Sequence, residues 1–241
     1  MPFLNFEDVS IYYEDSGEEL PSVLLLAPGG MRSAVDLWEK VSWDPRTYLR
    51  GHYRIIAMDQ RNAGKSSAPV SGDDGWSCYT RDQVRLINYL NIDKFHVLGM
   101  CIGGPFCLGL IEELGDRILS ATLIQPIGLN KNRHLFYSLF NEWREGLTSQ
   151  GHDLTEGDWK NFCENMFGSD KILFNVDEDF LSKCTVPLLI LMGNDNYHPQ
   201  LTSLKINNKA KNSTLIKEWK HGKNKLLAAQ RMINFIGNNV R

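Results

Sequence analysis

The chain has 241 residues, a length that suits one α/β domain better than two. Lys plus Arg number 26 against 29 Asp plus Glu, a formal charge of -3, so there is no basic excess to hold nucleic acid or an anionic membrane surface. At 42% hydrophobic and 23% charged residues the chain can build a full core, which excludes intrinsic disorder.

The first residues, Met1 to Asp8, carry no basic or long apolar stretch, and no window approaches the roughly 18 to 20 apolar residues of a membrane span. Five cysteines form no CxxC pair, which fits a reducing compartment and does not suggest zinc. The expectation is a cytoplasmic protein, neither secreted nor membrane-embedded, with no metal and no organic cofactor. Residues 3–6 and 10–14 alternate apolar with polar side chains and precede Asp15-Ser16-Gly17, which predicts an antiparallel start to a sheet. Residues 23–27, 54–58, 95–99, 121–125 and 187–192 are short apolar runs, as strands buried on both faces require, and 215–219 form a weaker last one. Helical spacing predicts helices over 80–90 (Val84, Ile87 and Leu90 inward) and 225–236 (Leu226, Ala229, Ile233 and Ile236 inward). Cys107, Leu110, Ile111 and Leu114 share one further helical face. Strands alternating with helices describe an α/β fold with a mostly parallel central sheet flanked by helices. Residues 1–241 are read as a single domain, with 126–183 as a small helical lid insertion within it. That insertion holds Phe136, Tyr137, Phe140, Trp143, Trp159, Phe162, Phe167 and Phe174, which form either its own core or the wall of an acyl pocket.

The most informative stretch runs from Phe95 through Gly99-Met-Cys101-Ile-Gly103-Gly104. A strand that passes through Gly-x-Cys-x-Gly directly into an amphipathic helix predicts a very tight turn with Cys101 at its tip, a nucleophile elbow with sulfur in place of the usual hydroxyl. A helix N-terminus at that point favours thiolate over thiol. Gly64-Lys65-Ser66 hints at a phosphate loop, but Asp59 stands where that motif needs glycine.

Four ordered segments resemble the α/β-hydrolase-fold superfamily over nearly the whole length. They are Leu24-Leu-Leu-Ala-Pro28-Gly29-Gly30, then Asp59-Gln-Arg61-Asn62-Ala-Gly64-Lys-Ser66, then the elbow, then Gly193-Asn-Asp195-Asn-Tyr-His-Pro199 with His221 following 26 residues after Asp195. Asn62 replaces a family glycine and itself tolerates a left-handed backbone. The resemblance implies a triad in which Cys101 attacks a carbonyl, His221 holds or moves the proton and Asp195 fixes the imidazole, with the N–H of Ile102 and of Gly30 or Met31 as oxyanion donors. His198 is the competing histidine, set aside because the family order runs nucleophile, acid, histidine. Gln125-Pro126 occupies the family's alternative acid position and cannot serve there. The expected activity is hydrolysis of carboxylic esters, lactones or thioesters through an acyl-enzyme, acting on a small apolar acyl substrate. The alternatives are an acyltransferase with the same triad or a ligand-binding relative without turnover. The oligomeric state is not readable.

Overall fold

The computed structural model describes residues 2–240. Eight strands form one sheet in the order β1-β2-β4-β3-β5-β6-β7-β8: β1 (Phe3–Phe6), β2 (Val9–Asp15), β3 (Ser22–Leu26), β4 (Arg54–Met58), β5 (Phe95–Met100), β6 (Ile118–Ile124), β7 (Leu188–Leu191) and β8 (Ser213–Ile216). β1 pairs antiparallel with β2, and β2 antiparallel with β4, as the alternating start predicts. All pairings from β4 onward are parallel, so the carboxyl ends of β3 to β8 meet along one edge. β3 and β5 are buried at every position, the reason both read as continuous apolar runs.

The helices are α1 (Arg46–Leu49), α2 (Trp76–Tyr89), α3 (Gly103–Leu114), α4 (Arg133–Ser149), α5 (Glu156–Phe167), α6 (Glu178–Lys183), α7 (Gln200–Lys209) and α8 (Lys223–Gly237). The core divides across the sheet. One side gathers the inward faces of α2 and α3 with the aromatics of α4 and α5, while the other packs α8 and the 35–53 segment on β3, β5 and β7. Two expectations shift. Leu226 is 66% exposed, because α8 starts at Lys223 and turns Ala228, Ala229, Met232 and Ile236 inward instead. The last strand lies earlier than 215–219, and Trp219 is buried beyond its end, donating from Nε1 to the Met192 carbonyl at 2.9 Å.

Residues 126–183 contain α4, α5 and α6. Their aromatics pack chiefly on one another: Phe140 on Phe162 at 5.2 Å, Trp143 on Phe162 at 5.7 Å and Phe136 on Phe174 at 4.8 Å between centroids. These rings also join the core on that side of the sheet, where Phe167 meets Trp76 of α2 edge-on at 6.1 Å between centroids.

Candidate active site

β5 ends at Met100, and Cys101 follows with φ 60°, a left-handed conformation that costs a non-glycine residue energy. The strain is held on both sides. Cys101 N–H donates to the Ile124 carbonyl at 3.0 Å, and the Cys101 carbonyl accepts from Gly104 N–H at 3.1 Å and Ile127 N–H at 3.2 Å. Crowding explains each glycine of the turn. A Cβ on Gly99 would strike the Gly103 carbonyl and approach Cys107 Sγ to 2.7 Å; one on Gly103 would strike the Leu26 carbonyl; one on Gly104 would come within 2.6 Å of Pro126 Cβ. Cys101 is the one cysteine that is only partly buried; Cys78, Cys107, Cys163 and Cys184 are buried.

The loop after β3 faces this turn. Gly29 (φ 113°) and Gly30 (φ 61°) both adopt conformations that favour glycine, and a Cβ on Gly29 would run into the Leu37 side chain. Gly29 and Ile102 direct backbone N–H groups at the Cys101 sulfur. Gly30 and Met31, expected as alternative donors, open a short 3-10 turn, and neither N–H meets a carbonyl among the described backbone hydrogen bonds. Gly29 is thus a donor the sequence reading missed. Asp59 builds the neighbouring loop, accepting from Val35 N–H and Lys65 N–H at 2.7 Å each. Asn62 takes φ 57°, as its tolerance for the left-handed region predicts.

The histidine beside Asp195 is His198. Its Nδ1 lies 2.8 Å from both carboxylate oxygens, and Asp195 Oδ1 also accepts from the N–H of Tyr197 and of His198 at 2.9 Å. Four residues therefore close on themselves through an aspartate side chain, a habit of Asp in turns. Gly193 permits it, since a Cβ there would strike the His198 carbonyl and come within 2.6 Å of its Cβ. His221, expected in this role, is exposed ahead of α8, where its carbonyl accepts from Asn224 N–H at 3.1 Å. The local turn, not the loop after β8, brings an imidazole to Asp195. The signal in the sequence was Gly-x-Asp-x-x-His: an aspartate that caps the third residue onward folds that residue's side chain over its own carboxylate.

His198 is largely buried, and its Nε2 has no partner of strict hydrogen-bond geometry. It faces Cys101, and the two groups act on each other first through charge. Burial alone would push the His198 imidazole down, but Cys101 and Asp195 together outweigh it and lift it to about 9. Burial likewise raises the Cys101 thiol, and His198 with the N–H groups of Gly29 and Ile102 reverses the sign, leaving the thiol below its ordinary value. The hydrogen bond from His198 holds Asp195 well below the usual carboxylate range against the opposing effect of burial. These are the properties of a thiolate–imidazolium pair oriented by a carboxylate. Gln125, in the alternative acid position, directly follows β6 with φ 37° and donates its N–H to the Leu191 carbonyl at 2.7 Å.

α4 spans the groove between the two loops. Asn132 at its N-terminus donates from Nδ2 to the Asn196 carbonyl at 2.8 Å, and the Phe136 ring meets Tyr197 edge-on at 6.0 Å. Further along, Arg32 donates to the Glu142 carbonyl at 2.6 Å and Trp143 Nε1 to the Asn62 carbonyl at 3.2 Å. Among the described residues, no group of three or more His, Cys, Asp or Glu side chains gathers as metal ligands would, and no helix is long and apolar enough to cross a membrane.

A family profile described as alpha/beta hydrolase fold matches residues 22–156. The chain is 26% identical over 253 aligned residues to the bifunctional esterase/perhydrolase DCH of Acinetobacter calcoaceticus, covering 89% of this chain and 87% of that protein. It is 28% identical over 116 residues to the 2-hydroxy-6-oxononadienedioate/2-hydroxy-6-oxononatrienedioate hydrolase 1 of Pseudomonas putida, covering 46% of this chain and 40% of that protein. With several curated relatives the match spans only about two fifths of the relative's length. Among solved structures, the enol-lactonase of Burkholderia xenovorans LB400 superposes with a TM-score of 0.71 at 16% identity, over 98% of this chain and 100% of that one, a likeness of fold.

Proposed function

This chain belongs to the alpha/beta hydrolase fold family, and we infer that it cleaves the acyl bond of an ester, lactone or thioester through a cysteine-centred site. Cys101 attacks the carbonyl carbon as a thiolate; His198 balances its charge, then protonates the leaving group and later draws a proton from water; Asp195 orients the imidazole. The N–H groups of Ile102 and Gly29 receive the oxyanion, with Gly30 and Met31 beside them. The observation that carries this reading is the short chain of contacts from Asp195 through His198 to a strained, partly buried Cys101 at a helix N-terminus. The name of the Acinetobacter relative, an esterase, supports the same class of bond.

Sulfur narrows the substrate. Capturing an acyl group from an ordinary ester as a thioester runs uphill, so activated or strained acyl groups such as lactones and thioesters suit this nucleophile better than simple alkyl esters. The insertion acts as a lid over the groove, and its Phe136 ring, edge-on to Tyr197 of the loop after β7, favours an acyl or ring group with apolar body.

The test is intact-mass spectrometry after brief exposure to 4-nitrophenyl acetate. Wild type is expected to show a transient acetyl adduct, Cys101→Ala none, and His198→Ala an adduct that forms slowly and then persists. An adduct that survives in Cys101→Ala overturns the assignment, and absence of both adduct and ester loss in wild type points to a ligand-binding protein without turnover.

A further inference from the structure

Asn132 occupies the N-cap of α4, yet its side chain does none of the capping such a residue ordinarily provides. The residue is 6% exposed, and its amide is spent on neighbouring loops instead. Oδ1 accepts from Asn130 N–H at 2.8 Å, while Nδ2 donates to the Gly128 carbonyl at 3.1 Å and to the Asn196 carbonyl at 2.8 Å. Gly128 lies on the chain leaving β6 and Asn196 on the chain leaving β7. At the ends of these two strands Gln125 N–H donates to the Leu191 carbonyl at 2.7 Å. Beyond that bond, among the described residues, the next hydrogen bond joining the two chains is the one Asn132 makes.

The place it grips is the stretch between the acid and the base. Asn196 and Tyr197 separate Asp195 from His198, and one face of α4 meets both. Asn132 holds the Asn196 carbonyl, and one helical turn on, Phe136 packs against the Tyr197 ring. The bonds that close the turn run within it, with Asp195 engaging the N–H groups of Tyr197 and His198 and the imidazole. Two other hydrogen bonds reach residues 193–198 from elsewhere, and both fall ahead of the acid: Gly193 N–H donates to Ser203 Oγ at 3.2 Å, and Lys220 donates to Asn194 Oδ1. Among the described residues, Asn132 thus supplies the one hydrogen bond that fixes the segment from acid to base to the rest of the protein. Carboxylate and imidazole keep each other's geometry unaided, but nothing in their own turn sets where the pair stands relative to Cys101.

We propose that Asn132 is a positioning residue for the reaction: by holding the Asn196 carbonyl from the insertion, it sets the His198 imidazole against the Cys101 sulfur. The lid and the base are then coupled, since the helix that covers the groove is also the helix that aligns the imidazole. An amide suits the place because its two N–H donors meet two carbonyls of different loops, whereas serine brings one donor on a shorter side chain and alanine none. This role rests on the cysteine-centred reading above.

Alkylation of Cys101 by iodoacetamide, followed against pH, tests this without needing turnover. The titratable groups facing the imidazole are Cys101 at the elbow and Asp195 on its own turn, so a displaced imidazole shows at the sulfur. Asn132→Ala and Asn132→Ser, the second keeping a helix-capping residue at the start of α4, are expected to move the profile upward, to between wild type and His198→Ala. With 4-nitrophenyl acetate both are expected to lose at least about 10-fold in kcat while KM stays within about twofold, the pattern of misplacement without lost contact to the ester. Glu156→Gln breaks the pair with Arg144 that joins α5 to α4, loosening the insertion alone, and is expected to leave profile and kcat unchanged. A wild-type profile in both Asn132 variants overturns the positioning role, even where thermal melts show them destabilised, as does an equal shift in Glu156→Gln. If the Asn132 variants keep the wild-type profile and His198→Ala still moves it, the catalytic reading stands without the positioning role; if His198→Ala leaves it unmoved as well, both fall.

Discussion

Asp195 holds the imidazole of a residue only three positions along its own chain, with both carboxylate oxygens 2.8 Å from His198 Nδ1. On the proposed mechanism this separates two histidines that the sequence alone sets in competition. His198→Ala is expected to lower kcat/KM for an activated ester by at least about 100-fold, the usual worth of a positioned acid–base group. His221→Ala, altering an exposed side chain ahead of α8, is expected to stay within about twofold. Steady-state kinetics of the two variants decide it, and the opposite ranking would return the role to the loop after β8.

Protonation gives a second check. The Cys101 thiol lies below its ordinary value and the His198 imidazole is raised to about 9. Thiolate is present above the first and imidazolium below the second, so activity is expected in the window between them, with its alkaline limb near 9. Alkylation of Cys101 by iodoacetamide, followed against pH, is expected to begin below the range of a free thiol in wild type and to move upward in His198→Ala. An unshifted profile in the variant would mean the imidazole does not support the thiolate.

The elbow and α4 offer opposite outcomes for one chemical change. Gly103→Ala drives a methyl group against the Leu26 carbonyl, part of a buried strand that cannot yield, and is expected to cost about 3 kcal/mol or more. Gly146 lies inside α4 with nothing within 4 Å of a Cβ, so Gly146→Ala is expected to stabilise by about 0.5 to 1 kcal/mol. Denaturant melts of both variants against wild type measure the difference.

At the other end of the sheet, His96 is 1% exposed, with Nδ1 2.8 Å from Ser120 Oγ and Nε2 unpartnered. Burial depresses it to about 4 from 6.5. Its neutral form is the folded form, so the stability it contributes is complete above pH 6.5 and is lost as pH falls toward 4, about 3 kcal/mol across that span. His96→Gln is expected to flatten the fall in stability between pH 7 and 4.5. A slope unchanged by the substitution would assign the acid sensitivity elsewhere.

The sheet was legible because buried parallel strands write themselves as short apolar runs, and residues 54–58 match β4 to the residue. The elbow was legible for a steric reason, since glycines at 99 and 103 are what the crossing of β5, α3 and the end of β3 leaves room for. The base was not. Choosing between His198 and His221 depends on the backbone path of residues 193–198, and that path follows from Asp195 capping two N–H groups and from the bare Cα of Gly193. Periodicity carries no trace of it, and the order of residues in the family pointed the other way.

On the proposed mechanism, the acid and the base lie in one short turn assembled by local chain geometry, and the sheet brings the thiol to them. The segment after β8 is thereby released from delivering an imidazole. On that mechanism the proton path makes no use of residues 219–223, so changes there leave it undisturbed.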